Sequence, residues 1–207
     1  MQFELDINID NEGLAAIYAA GQSVTLVKSR SNQPLASGNL PVSWLSFSPL
    51  QQNAVSWIEN YYLYATTTQC QSGACIDMLS QTAGPAQAGV NYTFANGQFT
   101  GVPGADLVFN LLNGTPAPPS FFNFGLAQAG TVNGKTTLSP LNIQPVLFNC
   151  EASFTPLETV SIFLSSTANN GVVLSQVASN ALTVTLSSQQ PKAIIGFNDA
   201  NNTFFQG

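Results

Sequence analysis

The sequence predicts an all-β protein made of two tandem antiparallel β-sandwich repeats, jelly-roll or Ig-like, with very little helix. Three observations lead there. Apolar and polar residues alternate at period two from the start of the chain, as on a half-buried strand. Asn-Gly pairs stand at 96–97, 113–114, 133–134 and 170–171, and Asn-Gly suits the type I′ turn of tight hairpins. Ordered sequence matches relate the segment before a Pro- and Gly-rich connector to the segment after it.

The elements follow in order. Phe3, Leu5, Ile7 and Ile9 alternate with Glu4, Asp6, Asn8 and Asp10, which makes a first strand with its acids on the solvated face. Their alternate oxygens are spaced like the start of a calcium loop, but the intervening isoleucines fit a strand better. Residues 10–20 read as a short helix capped by Asp10 and limited by Gly13 and Gly21. Residues 23–28 are β-branched and short. Residues 42–47 form a strand closed by Pro49. Residues 55–68 are dense in aromatic and β-branched side chains, with Glu59 and Asn60 marking a break or bulge. Strands at 76–79 and 92–94 follow. The Asn-Gly pairs at 96, 133 and 170 read as hairpins and the pair at 113 as a loop. Residues 107–112 read as a second short helix.

The connector, residues 101–120, holds four Pro among its twenty residues and divides the chain into a first repeat, 1–100, and a second, 121–207. SFSPL at 46–50 matches SFTPL at 153–157. AAGQSV at 19–24 resembles AQAGTV at 127–132. Pro41-Val42 corresponds to Pro145-Val146, LYATT at 63–67 to FLSST at 163–167, and GACI at 73–76 to GVVL at 171–174. The repeats differ in aromatic chemistry: both Trp and all five Tyr lie in the first.

Charge excludes several functions. Ten acidic and four basic residues give a net charge of -6, and histidine is absent. Such a chain cannot neutralise a run of phosphates, so nucleic acid is not expected as a partner. Without His, Ser-His-Asp and Cys-His catalysis are impossible, as are His-ligated metal sites. The carboxylates show no spacing that pairs them for acid–base work, and no phosphate loop is present. No enzyme activity, cofactor or metal is expected. Cys70, Cys75 and Cys150 are odd in number and read as small reduced side chains, although Cys70 and Cys75 flank a turn and can face each other across it. Three Asn-x-Thr triplets, at Asn91, Asn113 and Asn201, read as chance in a chain rich in Asn and Thr.

Mean hydropathy is +0.15, yet the longest apolar run, 14–20, falls far short of the roughly 20 residues of a spanning helix. The acidic N-terminus does not resemble a signal peptide. The expected location is cytoplasmic, or outside the cell by a route that needs no signal peptide. In composition alone the chain is similar to cytosolic fungal lectins and defence or storage proteins, with no motif to carry the likeness to particular residues.

The candidate ligand-binding residues are Trp44, Trp57, Tyr61, Tyr62 and Tyr64. Aromatic faces stack on the apolar faces of sugars, and each Trp or Tyr joins an apolar body to a polar tip. The same residues also suit a strand core. The functional expectation is a non-enzymatic, lectin-like protein that binds a neutral glycan or cell-surface ligand through its first repeat. Two alternatives stand beside it: a self-assembling structural or storage protein, with a homo-oligomer as the product, and a pore-forming or membrane-docking toxin.

Overall fold

The computed structural model describes residues 1–33, 40–104, 108–116, 121–166 and 169–207, with the side chains of 29–33 excepted. Its elements are β1 (Gln2–Asn8), α1 (Asn11–Ala19), β2 (Ser23–Gln33), β3 (Leu45–Phe47), β4 (Gln52–Thr66), β5 (Ser80–Gln81), β6 (Val90–Ala95) and β7 (Gln98–Pro103). They continue with β8 (Phe109–Asn113), β9 (Asn123–Val132), β10 (Lys135–Pro140), β11 (Gln144–Pro145), β12 (Glu151–Ser165), β13 (Leu182–Thr185), β14 (Lys192–Asn198) and β15 (Thr203–Gln206). The chain is mostly strand, with one helix among the described residues.

Local chemistry explains the elements. In β1, Phe3, Leu5 and Ile7 are buried, while Glu4 and Asp6 meet Lys192 of β14 at 3.2 and 2.7 Å. The side chain of Asp10 caps α1 by accepting a hydrogen bond from the Gly13 N–H at 2.7 Å. The β6–β7 and β9–β10 hairpins turn at Asn96-Gly97 and Asn133-Gly134, where all four residues have positive φ, as a type I′ turn needs.

Two sheets form. One runs β10-β9-β4-β1-β14-β15, with β11 on β9 and β5 on β4. The other runs β3-β2-β12-β8-β6-β7, with β13 on β12. They share one core, in which Leu5, Trp57 and Leu126 of the first sheet meet Leu26, Phe109 and Phe154 of the second.

The two halves of the chain are not two sandwiches in series. Each sheet takes strands from both sides of the connector. In the first, β4 lies between β1 of its own half and β9 of the other, and β14 adds parallel to β1. In the second, β12 lies between β8, which lies in the connector itself, and β2 of the first half, and β6 adds parallel to β8. Apart from β11, which has no counterpart, the sheets repeat one another: β1, β2, β3, β4, β5, β6 and β7 hold the places of β8, β9, β10, β12, β13, β14 and β15. Each half supplies its partner's neighbours, so the division at 1–100 and 121–207 does not separate independent sheets.

Finer details match this exchange. β4 and β12 are both 15 residues long. Both carry a register shift at the same place, between Trp57 and Tyr61 and between Pro156 and Val160. The bulge at Glu59 and Asn60 is the break their residue types suggest. Phe94 and Phe99 stack at 4.9 Å across the β6–β7 hairpin, and Phe197 and Phe204 at 5.1 Å across β14–β15.

Several expectations are corrected. Residues 109–112 of the supposed second helix belong to β8, in which Phe109, Leu111 and Asn113 are buried in period-two fashion inside a sheet. Leu107 lies outside the described residues, as do 117–120 of the connector. The strand at 42–47 is confined to β3, and Val42 makes only an isolated bridge to Val173. Residues 76–79 form no strand, since Cys75 bridges Val172 and Ile76 donates to the Gly171 carbonyl. These contacts also occupy the Asn170-Gly171 turn, which joins no hairpin. Pro156 does not end a strand as Pro49 does: it sits within β12 at the bulge, so SFSPL and SFTPL are not equivalent in space.

Candidate functional site

Four of the five candidate aromatics point into the core. Trp44, Trp57, Tyr61 and Tyr64 are at most 5% exposed, and only Tyr62 is half-buried. The Tyr64 hydroxyl donates to the Asn142 carbonyl. Trp44, Trp57 and Tyr61 surround one of the chain's four basic side chains, Lys28, which is 1% exposed. Its Nζ lies 5.2, 4.9 and 5.8 Å from the three ring centroids, within reach of a cation–π contact.

The ammonium is matched by a compact polar cluster. Nζ donates to Glu158 Oε2 at 2.7 Å and to Gln128 Oε1 at 2.9 Å. The indole of Trp57 donates to the same carboxylate oxygen at 2.7 Å, and the Tyr61 hydroxyl donates to Oε1. The Gln128 amide nitrogen donates to the Ile58 carbonyl at 2.8 Å, and the Trp44 indole donates to the Gln128 backbone carbonyl at 3.0 Å. Trp44 reaches that carbonyl by lying over Gly130, where an added Cβ would meet its ring at 2.9 Å. Burial lowers the Lys28 pKa to about 8, opposed by the Glu158 charge and hydrogen bond. Burial also pushes the Tyr61 hydroxyl well above the usual tyrosine range, with the Glu158 charge adding to it.

Sequence patterning carries a faint signal of this cluster: Lys28 is in phase with Val24 and Leu26, both fully buried in β2. Nothing in the sequence marks Glu158 or Gln128, whose roles depend on which half faces which.

Two of the surface clefts among the described residues stand at corresponding places, each formed by the end of a strand, the connection that follows it and the residues ahead of a long strand. The first is a groove of about 1150 Å³ between α1 and the β14–β15 edge. Its walls are Asn8, Asp10, Asn11, Gln51 and Gln52, with Tyr18, Leu50 and Phe205 about half exposed. The Tyr18 hydroxyl donates to the Pro49 carbonyl, which fixes α1 against the chain ahead of β4. The second is a cleft of about 260 Å³ lined by Asn113, Phe121, Phe122, Pro145, Leu147 and Phe148, among others. Phe121, Leu147 and Phe148 are 72%, 67% and 53% exposed, so it presents apolar surface where the first presents amides. Sequence reasoning missed Tyr18 and Phe205, which stand apart from the aromatic-rich strand.

Among the described residues no group of three or more Cys, Asp or Glu side chains could hold a metal ion, and no helix is long and apolar enough to cross a membrane. Cys75 and Cys150 are exposed thiols. No family model matches the sequence, and no curated protein or solved structure is found to be similar to it.

Proposed function

We propose that the protein is a non-enzymatic binding module whose polar groove receives a neutral, hydroxyl-rich ligand, a glycan on a cell surface or in solution. The observation that carries this reading is the lining: the exposed rings of Tyr18 and Phe205 stand beside the side chains of Asn8, Asn11, Gln51 and Gln52. Rings offer an apolar platform for a sugar face, and amides offer paired donors and acceptors for hydroxyls. Among the described residues no Lys or Arg lines the groove, which disfavours phosphorylated or sulfated ligands. The reading keeps the lectin-like expectation but moves its site from Trp44, Trp57, Tyr61, Tyr62 and Tyr64 to Tyr18 and Phe205.

A glycan array followed by titration with the free sugar tests it. Saturable binding to a neutral glycan, weakened at least about tenfold by Tyr18→Ala or Phe205→Ala, supports the reading (about 1.4 kcal/mol). Absence of saturable binding, or binding that ignores both substitutions, removes it.

Self-association is a second reading, supported by the exposed Phe121, Leu147 and Phe148. Apolar surface on a weakly charged protein meets little electrostatic opposition to contact between copies.

A further inference from the structure

We propose that Lys28 and Gln128 become joined by an intramolecular isopeptide bond, with Glu158 as the proton carrier. The three groups an amide exchange requires are already in contact. The attacking nitrogen, Lys28 Nζ, is 2.9 Å from the carboxamide oxygen of Gln128. The base, Glu158 Oε2, is 2.7 Å from the same nitrogen. The leaving nitrogen, Gln128 Nε2, is held separately on the Ile58 carbonyl at 2.8 Å.

The surroundings favour the chemistry. Trp57 and Tyr61 clamp both oxygens of Glu158, and Trp44 fixes the Gln128 backbone. Lys28, Gln128, Trp44 and Trp57 are each at least nine-tenths buried, so water does not compete as nucleophile. Desolvation brings the Lys28 pKa down to about 8, so the neutral amine is accessible near neutral pH. Holding the amine against the carboxamide removes the entropic cost of bringing the two groups together.

The step balances without any co-reactant. Glu158 takes a proton from the Lys28 ammonium, and the neutral amine attacks Cδ of Gln128. A C–N bond forms, the Cδ–Nε2 bond breaks, and Glu158 returns protons to the departing nitrogen. Nζ gives up two protons and Nε2 gains two, so an ammonium ion leaves, the carboxylate is regenerated and the total charge is unchanged. The product ties β2 of one sheet to β9 of the other, across the core and between the two halves of the chain.

Intact-mass measurement of the purified full chain decides. The expected result is a mass lower than the sequence mass by one ammonia, about 17 Da, and a branched peptide joining Lys28 to Gln128 after digestion. Lys28→Met and Glu158→Gln are expected to retain the full sequence mass. A wild-type chain that keeps its full mass after prolonged incubation at pH 8 overturns the proposal. So does an ammonia loss that persists in Lys28→Met or maps to an Asn-Gly pair, where cyclisation to a succinimide gives the same mass change.

Discussion

Glu59 and Glu158 hold the same place in the bulges of β4 and β12, and they face opposite ways. The Glu59 side chain is 45% exposed and meets the N-terminal amine at 3.1 Å. The Glu158 side chain is 14% exposed and meets Lys28 at 2.7 Å. A bulge releases its residues from strict alternation, so each chain segment could present its carboxylate either way. Among the described residues the one buried ammonium, Lys28, lies on the side to which Glu158 turns.

This asymmetry predicts unequal effects of the same substitution. Glu158→Gln leaves Lys28 without its counter-ion in the core and, against wild type that has not lost ammonia, should lower stability by about 3–5 kcal/mol. Glu59→Gln removes only an exposed pair and should change stability by less than about 1 kcal/mol. Urea denaturation of both variants checks this; equal effects would mean that Glu158 is not the carboxylate that matters to the core.

Tyr61 predicts a loss of stability at alkaline pH. Its hydroxyl is desolvated and bonded to Glu158, so the folded chain keeps the proton where the unfolded chain, with a tyrosine pKa near 10.0, has lost it. The contribution of this bond is therefore fully present below pH 10 and is lost as pH rises above that value. Tyr61→Phe should cost about 1.5–3 kcal/mol at neutral pH, with a smaller loss of stability between pH 10 and pH 11.5 than wild type. Denaturation at a series of pH values measures both; an unchanged alkaline slope in Tyr61→Phe contradicts the assignment.

Sequence and structure agree where a residue's role is local. β1, the Asp10-capped helix and the hairpins at Asn96 and Asn133 depend on alternation, capping and turn geometry, which neighbours in sequence specify. β8 was obscured because LVFNLL has the apolar run of a short helix, and only its place between β12 and β6 fixes it as a strand. The aromatic strand β4 is legible as a strand, yet whether Trp57 faces sugar or core depends on a lysine 29 positions earlier and a glutamate in the other half. The sequence matches that suggest two repeats do not all fall on equivalent places: SFSPL ends β3 while SFTPL lies inside β12, and GACI at 73–76 bridges GVVL at 171–174. The strand exchange has no local signature at all.

The groove makes a separate prediction at Gly196. In β14 a Cβ at this position would meet the Phe205 ring at 2.3 Å, so Phe205 lies flat on the strand only because glycine is there. Gly196→Ala should swing that ring out of the groove while the core remains intact, since the ring is half exposed and free to move outward. The expected outcome is an unchanged thermal midpoint to within a few degrees and ligand binding weakened about tenfold. Unaltered affinity in a folded Gly196→Ala protein would mean that Phe205 does not contribute to binding.

The strand exchange predicts how the chain behaves when cut. Residues 1–104 alone keep the β1–β4 pair but lose β9, which covers the other edge of β4 from Val55 to Thr66, and β14, which covers β1. Residues 108–207 alone lose β2 and β6 from β12 and β8 in the same way. Each fragment would expose long unpaired edges and half of a core in which Trp57, Leu126 and Phe154 now meet, and such edges recruit other chains. Neither fragment should show a cooperative unfolding transition as a monomer. Mixed or co-expressed, the two should restore the native circular dichroism and a single transition, because each carries the missing neighbours of the other. A monomeric, cooperatively folded fragment of either kind would show instead that a half can close its own sandwich, and that the pairing across the connector is not needed for folding.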